Sequence, residues 1–170
     1  MNLKANLKFI LFPIIVVVLI VAIFIYIFAV KGPKTPATMQ LVQEVFESNG
    51  LMYGDVTEDY REKWNVDDML QSAVACEKDD LRFDFFVFDS DASAEHIRKQ
   101  YQSYIRENRY DNPNIEVSEG VSNYMLYSIK AAGIYTINMR VENTLVFAYC
   151  NEENAADLNK IMVGIGYFEE

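Results

Sequence analysis

Residues 124–140 read Tyr124-Met125-Leu126-Tyr127-Ser128-Ile129-Lys130-Ala131-Ala132-Gly133-Ile134-Tyr135-Thr136-Ile137-Asn138-Met139-Arg140. Two runs of alternating, β-branched and aromatic residues flank Ala132-Gly133, which is turn chemistry, so the segment reads as a β-hairpin. Outward from it, Ile115–Glu119 and Thr144–Cys150 have the same character, with turns at Gly120 and Glu142-Asn143. Upstream, Met69–Glu77 and Leu81–Phe88 form a second hairpin across Lys78-Asp79-Asp80. Both parities of Leu81–Phe88 are apolar, which suits a central strand.

Helices separate these groups. Thr38 is placed to cap a helix with Met39, Val42, Val45 and Phe46 on one face, closed by Asn49-Gly50. Leu51–Thr57 reads as a short extended piece, followed by a polar, acidic stretch through Asp68 that contains the lone tryptophan, Trp64. Trp64 is expected to pack a loop onto the core. Asp89-Ser90-Asp91 opens a helix carrying Ala94, Ile97, Tyr101, Tyr104 and Ile105 on one face and ending before Asn112-Pro113. Asn151 is expected to cap a final helix with Leu158, Ile161, Met162 and Ile165 inward. This order predicts an α+β domain, one antiparallel sheet with helices packed mainly on one face.

Phe9–Val30 is an uncharged apolar run, flanked by Lys4 and Lys8 before it and Lys31 and Lys34 after it. A helix of that length spans a hydrocarbon core of roughly 30 Å, so the run predicts an N-terminal transmembrane helix. It is longer than the core of a cleaved signal peptide, and Ala29 lacks a second small residue two positions before it. The expected organisation is a short cytoplasmic tail over 1–8, a transmembrane signal anchor over 9–30, a linker over 31–37 and an extracytoplasmic domain over 38–170. The protein would then be single-pass in the cell membrane with its C-terminal domain outside.

The acidic residues, 25 in all, lie after residue 40; with 11 of the 15 cations there, the domain carries about −14. Such a surface disfavours nucleic acid, and the chain has no basic run interleaved with aromatics. Catalytic signatures are weak. His96, the only histidine, sits in the first turns of an amphipathic helix and reads as solvated. Asp89-Ser90-Asp91-Ala92-Ser93-Ala94-Glu95 alternates oxygen donors, but a helix–loop–helix calcium site needs glycine and a bidentate acid where Ala94 and Gln100 stand. Asp67-Asp68, Asp79-Asp80 and Glu152-Glu153 are turn and helix-start residues, not a paired-carboxylate centre. No cofactor and no metal is expected. Cys76 and Cys150 fall on strands and read as core-filling thiols, with a disulfide as the alternative.

Strand alternation supplies a candidate binding face. Setting Met125, Tyr127, Ile129 and Tyr135, Ile137, Met139 inward leaves Tyr124, Ser128, Lys130, Thr136, Asn138 and Arg140 outward, joined by Arg82. Arg82, Lys130 and Arg140, with Tyr124 as an aromatic contact, would hold an anionic envelope polymer or an acidic partner.

The helix end Asn49-Gly50-Leu51, the Asp55-Val56-Thr57 segment, Phe86 to Asp89, Asn123-Tyr124, the run from Arg140 to Ala148 and the closing Gly164-Ile165-Gly166-Tyr167 together resemble a group of small, functionally uncharacterised lipoproteins and membrane-anchored proteins of Gram-positive bacteria. The resemblance implies an α+β fold displayed outside the cell and implies no catalytic residue. The leading expectation is a membrane-tethered, non-catalytic domain that binds or senses a ligand at the cell envelope, with the bilayer and an envelope polymer or membrane protein as partners. The alternatives are a cell-envelope hydrolase using carboxylates and an accessory subunit of another membrane protein.

Overall fold

A computed structural model describes residues 16–19, 32–66, 68–108, 115–121 and 123–169. The chain divides into two compact units, Met1–Pro33 and Lys34–Glu170.

The first unit corrects the anchor. Among the described residues no helix is long and apolar enough to cross a membrane. Of Phe9–Val30 only residues 16–19 are described, as helix. The rest of the run lies outside the described residues. The longest described helix, Asp91–Asn108, is charged along its length and packs on a sheet. The transmembrane signal anchor, the single-pass membrane location and the outside placement of the domain are therefore not supported.

The second unit is α+β. In chain order it holds α1 (Met39–Ser48), β1 (Tyr53–Asp55), α2 (Thr57–Trp64), β2 (Leu70–Lys78), β3 (Leu81–Phe88) and α3 (Asp91–Asn108). It continues with β4 (Ile115–Val121), β5 (Tyr124–Ala131), β6 (Ile134–Val141), β7 (Thr144–Asn151), a 3₁₀ turn (Glu152–Asn154) and α4 (Ala155–Gly164). The strands form one antiparallel sheet in the order β1-β2-β3-β7-β6-β5-β4. From β3 the chain must reach β4 on the far edge, four strand spacings or roughly 19 Å away. Helix α3 covers that distance, at about 27 Å for its 18 residues. The meander β4–β7 then returns to pair with β3, which becomes a central strand, as its apolar character on both parities requires.

Helices cover both faces of this sheet, against the expectation of one. On the first face α1 and α4 bury Val42, Phe46, Leu158 and Met162 against Phe83, Phe85, Ile137, Met139 and Val146. On the second, α2 and α3 pack Tyr60, Ala94, Ile97 and Ile105 against Phe86, Phe88, Tyr127, Leu145 and Phe147. Burial on both sides follows from strands in which neither parity is polar throughout, since a face holding Phe86, Phe88 and Leu145 must itself be covered.

Capping follows the local sequence in most places. Thr38 Oγ1 accepts from Leu41 N at 3.2 Å, and Gly50 closes α1 with φ +66°. Asp55 Oδ1 accepts from the backbone N of Thr57 at 2.9 Å and from its hydroxyl at 2.6 Å, which starts a helix in the stretch expected to be loop. Asn151 makes no side-chain cap; its backbone N donates to Asp80 instead, and a 3₁₀ turn precedes α4. The polypeptide between Lys34 and Thr38 is held to the domain. Lys34 N donates to Asn123 Oδ1 and Ala37 N donates to the buried Tyr167 hydroxyl, each at 3.1 Å.

Candidate functional site

The register separates the four residues expected to share a binding face. Ala131 pairs with Ile134 across the two-residue turn, so odd residues of β5 oppose even residues of β6. Tyr127 therefore lies beside Asn138 and Ile129 beside Thr136, while Ser128 lies beside Ile137 and Lys130 beside Tyr135. Tyr124 and Lys130 fall on the face of α1 and α4. Tyr124 is buried and donates to Glu119, and the Lys130 ammonium sits 5.1 Å from the Tyr135 ring centroid. Arg82 and Arg140 fall on the other face, two strands apart and offset by four residues, or about 10 Å by 13 Å.

Each arginine is engaged locally. Arg140 Nε donates to Glu95 Oε2 of α3 at 3.1 Å and Nη1 donates to the Glu142 carbonyl. Glu95 also holds the buried Arg98 through two hydrogen bonds of 2.8 and 2.9 Å. With Arg98 beside it first, and Arg140 and Lys99 adding to it, the Glu95 carboxyl is held below its ordinary value. This cluster ties α3 to β6, and Asn138 Nδ2 adds a bond to the Arg98 carbonyl.

Arg82 belongs to a different feature. A cleft of about 520 Å³ opens between α2 and α3 over β3 and β7, with Tyr60, Trp64, Tyr101, Tyr104, Phe147 and Tyr149 among its walls. Tyr60 and Trp64 stand one turn apart on α2, with ring centroids 4.6 Å apart. Tyr101 of α3 stacks on Phe147 of β7 at 4.2 Å and 15°, and meets Trp64 edge-on at 5.4 Å. Phe86 packs beneath both Tyr60 and Trp64, at 4.8 and 5.0 Å. Lys63 and Gln100 line the cleft as well, and Tyr104 is half exposed, at 49%.

At the base lies Asp84, 1% exposed. Strand pairing sets it between Ala75 and Phe147. The Tyr60 hydroxyl donates to Asp84 Oδ2 at 2.9 Å, and Arg82 Nε donates to both carboxylate oxygens at 3.2 and 3.1 Å. Arg82 Nη1 reaches outward to Glu77, 67% exposed, at 3.0 Å. Burial pushes the Asp84 carboxyl up, and Arg82 and Tyr60 pull it back down. Burial and the neighbouring carboxylate push the Tyr60 phenol up to about 12, and burial also raises that of Tyr101.

The described lining of the cleft carries one carboxylate, and its oxygens are already held. The nucleophile candidates lie elsewhere. Cys76 and Cys150 are buried on the opposite face with their thiols raised by burial to about 12 and about 11. His96 is exposed on α3 and hydrogen-bonds Gln100 at 3.0 Å. Among the described residues, no group of three or more His, Cys, Asp or Glu is placed to hold a metal ion.

Sequence reading did not assemble this cleft. A signal was present in the spacing, with aromatics at i and i+4 in Tyr60 and Trp64 and at i and i+2 in Phe147 and Tyr149. Nothing in one dimension joins those pairs across an interval of more than eighty residues.

No family model matches the chain, and no curated protein matches it. Among solved structures, the chain is similar to the crystal structure of a GTP binding regulator from Thermotoga maritima, at 11% identity and a TM-score of 0.46. That match covers 78% of this chain and 90% of the other. At that level it carries no argument about fold or activity.

Proposed function

We propose that the chain is a non-catalytic binding or sensing domain whose ligand enters the aromatic cleft between α2 and α3. The observation that carries this reading is the combination of a cleft near 520 Å³ with walls of Trp64, Tyr101, Tyr104 and Tyr149. Ligand sites are concave and mostly apolar, with few polar groups to orient the guest. Here Arg82, Lys63 and Gln100 supply those groups. Asp84 is closed by Arg82 and Tyr60, so it serves to fix Arg82 and the Tyr60 ring in place. The hydrolase alternative draws no support from this lining, because the second carboxylate that such chemistry needs is not among its described residues.

Trp64 provides the test, since it is the only tryptophan and lines the cleft. Titration of the full chain with a panel of anionic, neutral and cationic benzene derivatives should change Trp64 emission saturably for at least one class. Tyr104→Ala, at an exposed position, should weaken that response without lowering Tm appreciably. A flat response to the whole panel would overturn the reading.

A further inference from the structure

Resting on that reading, we infer that the cleft selects a ligand pairing a planar ring with an anionic group, the ring set against Trp64 and Tyr104 and the anion received by Lys63 and Arg82. The base of the cleft cannot serve a cation. Asp84 is 1% exposed, and both its oxygens already accept hydrogen bonds from Arg82. An ammonium group would find both Asp84 oxygens taken and would face a lining with two cations, Lys63 and Arg82, against that one carboxylate. An anion meets the reverse situation. Lys63 holds its ammonium at the rim, 5.2 Å from the Tyr60 ring centroid.

Arg82 is the sharper feature. Its Nε and Nη2 are committed to Asp84, Nη2 also donating to the Tyr60 hydroxyl at 3.4 Å, which orients the guanidinium plane and leaves Nη1 directed out toward Glu77. Glu77 is 67% exposed, so its hold on Arg82 is a solvated surface pair, weak and readily exchanged. A ligand carboxylate or phosphate fits the same planar donor and would compete with Glu77 for it. The stationary partner is Asp84 and the exchangeable one is Glu77. Among the described residues Glu77 is the one other carboxylate on this arginine, and a bound anion would displace it.

Phenylacetate, benzyl alcohol and phenethylamine present the same ring with negative, neutral and positive substituents. Each is titrated into the full chain at neutral pH, with Trp64 emission as the readout. Phenylacetate should bind about tenfold more tightly than benzyl alcohol, the factor that charge-assisted hydrogen bonding readily supplies. Phenethylamine should bind more weakly than either. Glu77→Gln, which removes the competitor at a solvent-exposed position, should tighten phenylacetate by about two- to fivefold, and Lys63→Gln should weaken it by a similar factor. Neither variant should move benzyl alcohol. Equal binding of all three probes, or phenylacetate indifferent to both substitutions, would overturn the inference and leave the cleft as a ligand site. No binding by any probe would overturn both.

Discussion

Tyr101 of α3 lies flat on Phe147 of β7, ring centroids 4.2 Å apart and planes within 15°. That stack joins the long crossover helix to the central strand it passes over, and the same Tyr101 ring walls the cleft. Architecture and candidate site therefore share one contact.

Truncating it should cost stability as well as binding. Tyr101→Ala removes the stack and leaves space beneath α3, for a loss of about 3 kcal/mol in denaturant unfolding. Tyr101→Phe keeps the ring and loses only the hydroxyl, so its cost should stay below about 1 kcal/mol. Equal losses for the two variants would show that the stack is not what holds α3 to β7.

The Asp84–Arg82 pair should reveal itself through pH. Arg82→Met leaves a buried carboxylate without its cation, which raises its folded-state value further above the ordinary 3.8. A raised acid means that the folded state binds more protons than the unfolded one, so the penalty grows as pH rises above 3.8 and is smallest below it. At neutral pH the loss should be about 3 kcal/mol, and adding Asp84→Asn should recover much of it. A penalty that does not change with pH would mean that Asp84 does not depend on Arg82 for its charge.

Glu95 should behave in the opposite sense. Its carboxyl is held below 4.5 by Arg98 first and by Arg140 and Lys99 after it, so its contribution is complete above 4.5 and is lost as pH falls through the lowered folded value. Thermal unfolding followed from neutral to acid pH should fall less steeply in Glu95→Gln than in the parent. Superimposable acid limbs would remove this cluster from the account of stability.

The cysteines should titrate as two free thiols. Cys76 on β2 and Cys150 on β7 have β3 between them, so their Cα atoms are about 10 Å apart or more, beyond the roughly 7 Å a disulfide tolerates. Native protein should react slowly with a thiol reagent, because both groups are buried with raised values. Denatured protein should react with two equivalents without prior reduction. Zero equivalents would require a different pairing of β2, β3 and β7.

Much of the domain was legible in one dimension because its signals are local. Alternation marks β5 and β6, Ala132-Gly133 marks their turn, and Thr38 with Asn49-Gly50 marks the two ends of α1. The apolar character of Leu81–Phe88 on both parities announced a central strand, and the same fact, followed further, calls for helices on both faces. The hairpin register was also within reach. A two-residue loop between Ala131 and Ile134 opposes odd residues to even ones, yet matching apolar parity to apolar parity suggested the reverse. The polar composition of helix α2 hides its Asp55–Thr57 start and leaves Tyr60 and Trp64 as its only apolar residues, too few for a periodic signal.

Most elements of residues 34–170, α2 excepted, follow from local signals, since helix periodicity, strand alternation and turn chemistry act over a few neighbouring residues. Which elements meet is a long-range matter, because pairing β7 with β3 and laying α3 across β3, β7 and β6 depend on packing energies summed over distant segments. That assembly moved Lys130 and Tyr124 to one face and engaged Arg140 with Glu95. It also brought Trp64 of α2, Tyr101 of α3, Phe147 of β7 and the Asp84–Arg82 pair of β3 around one cleft.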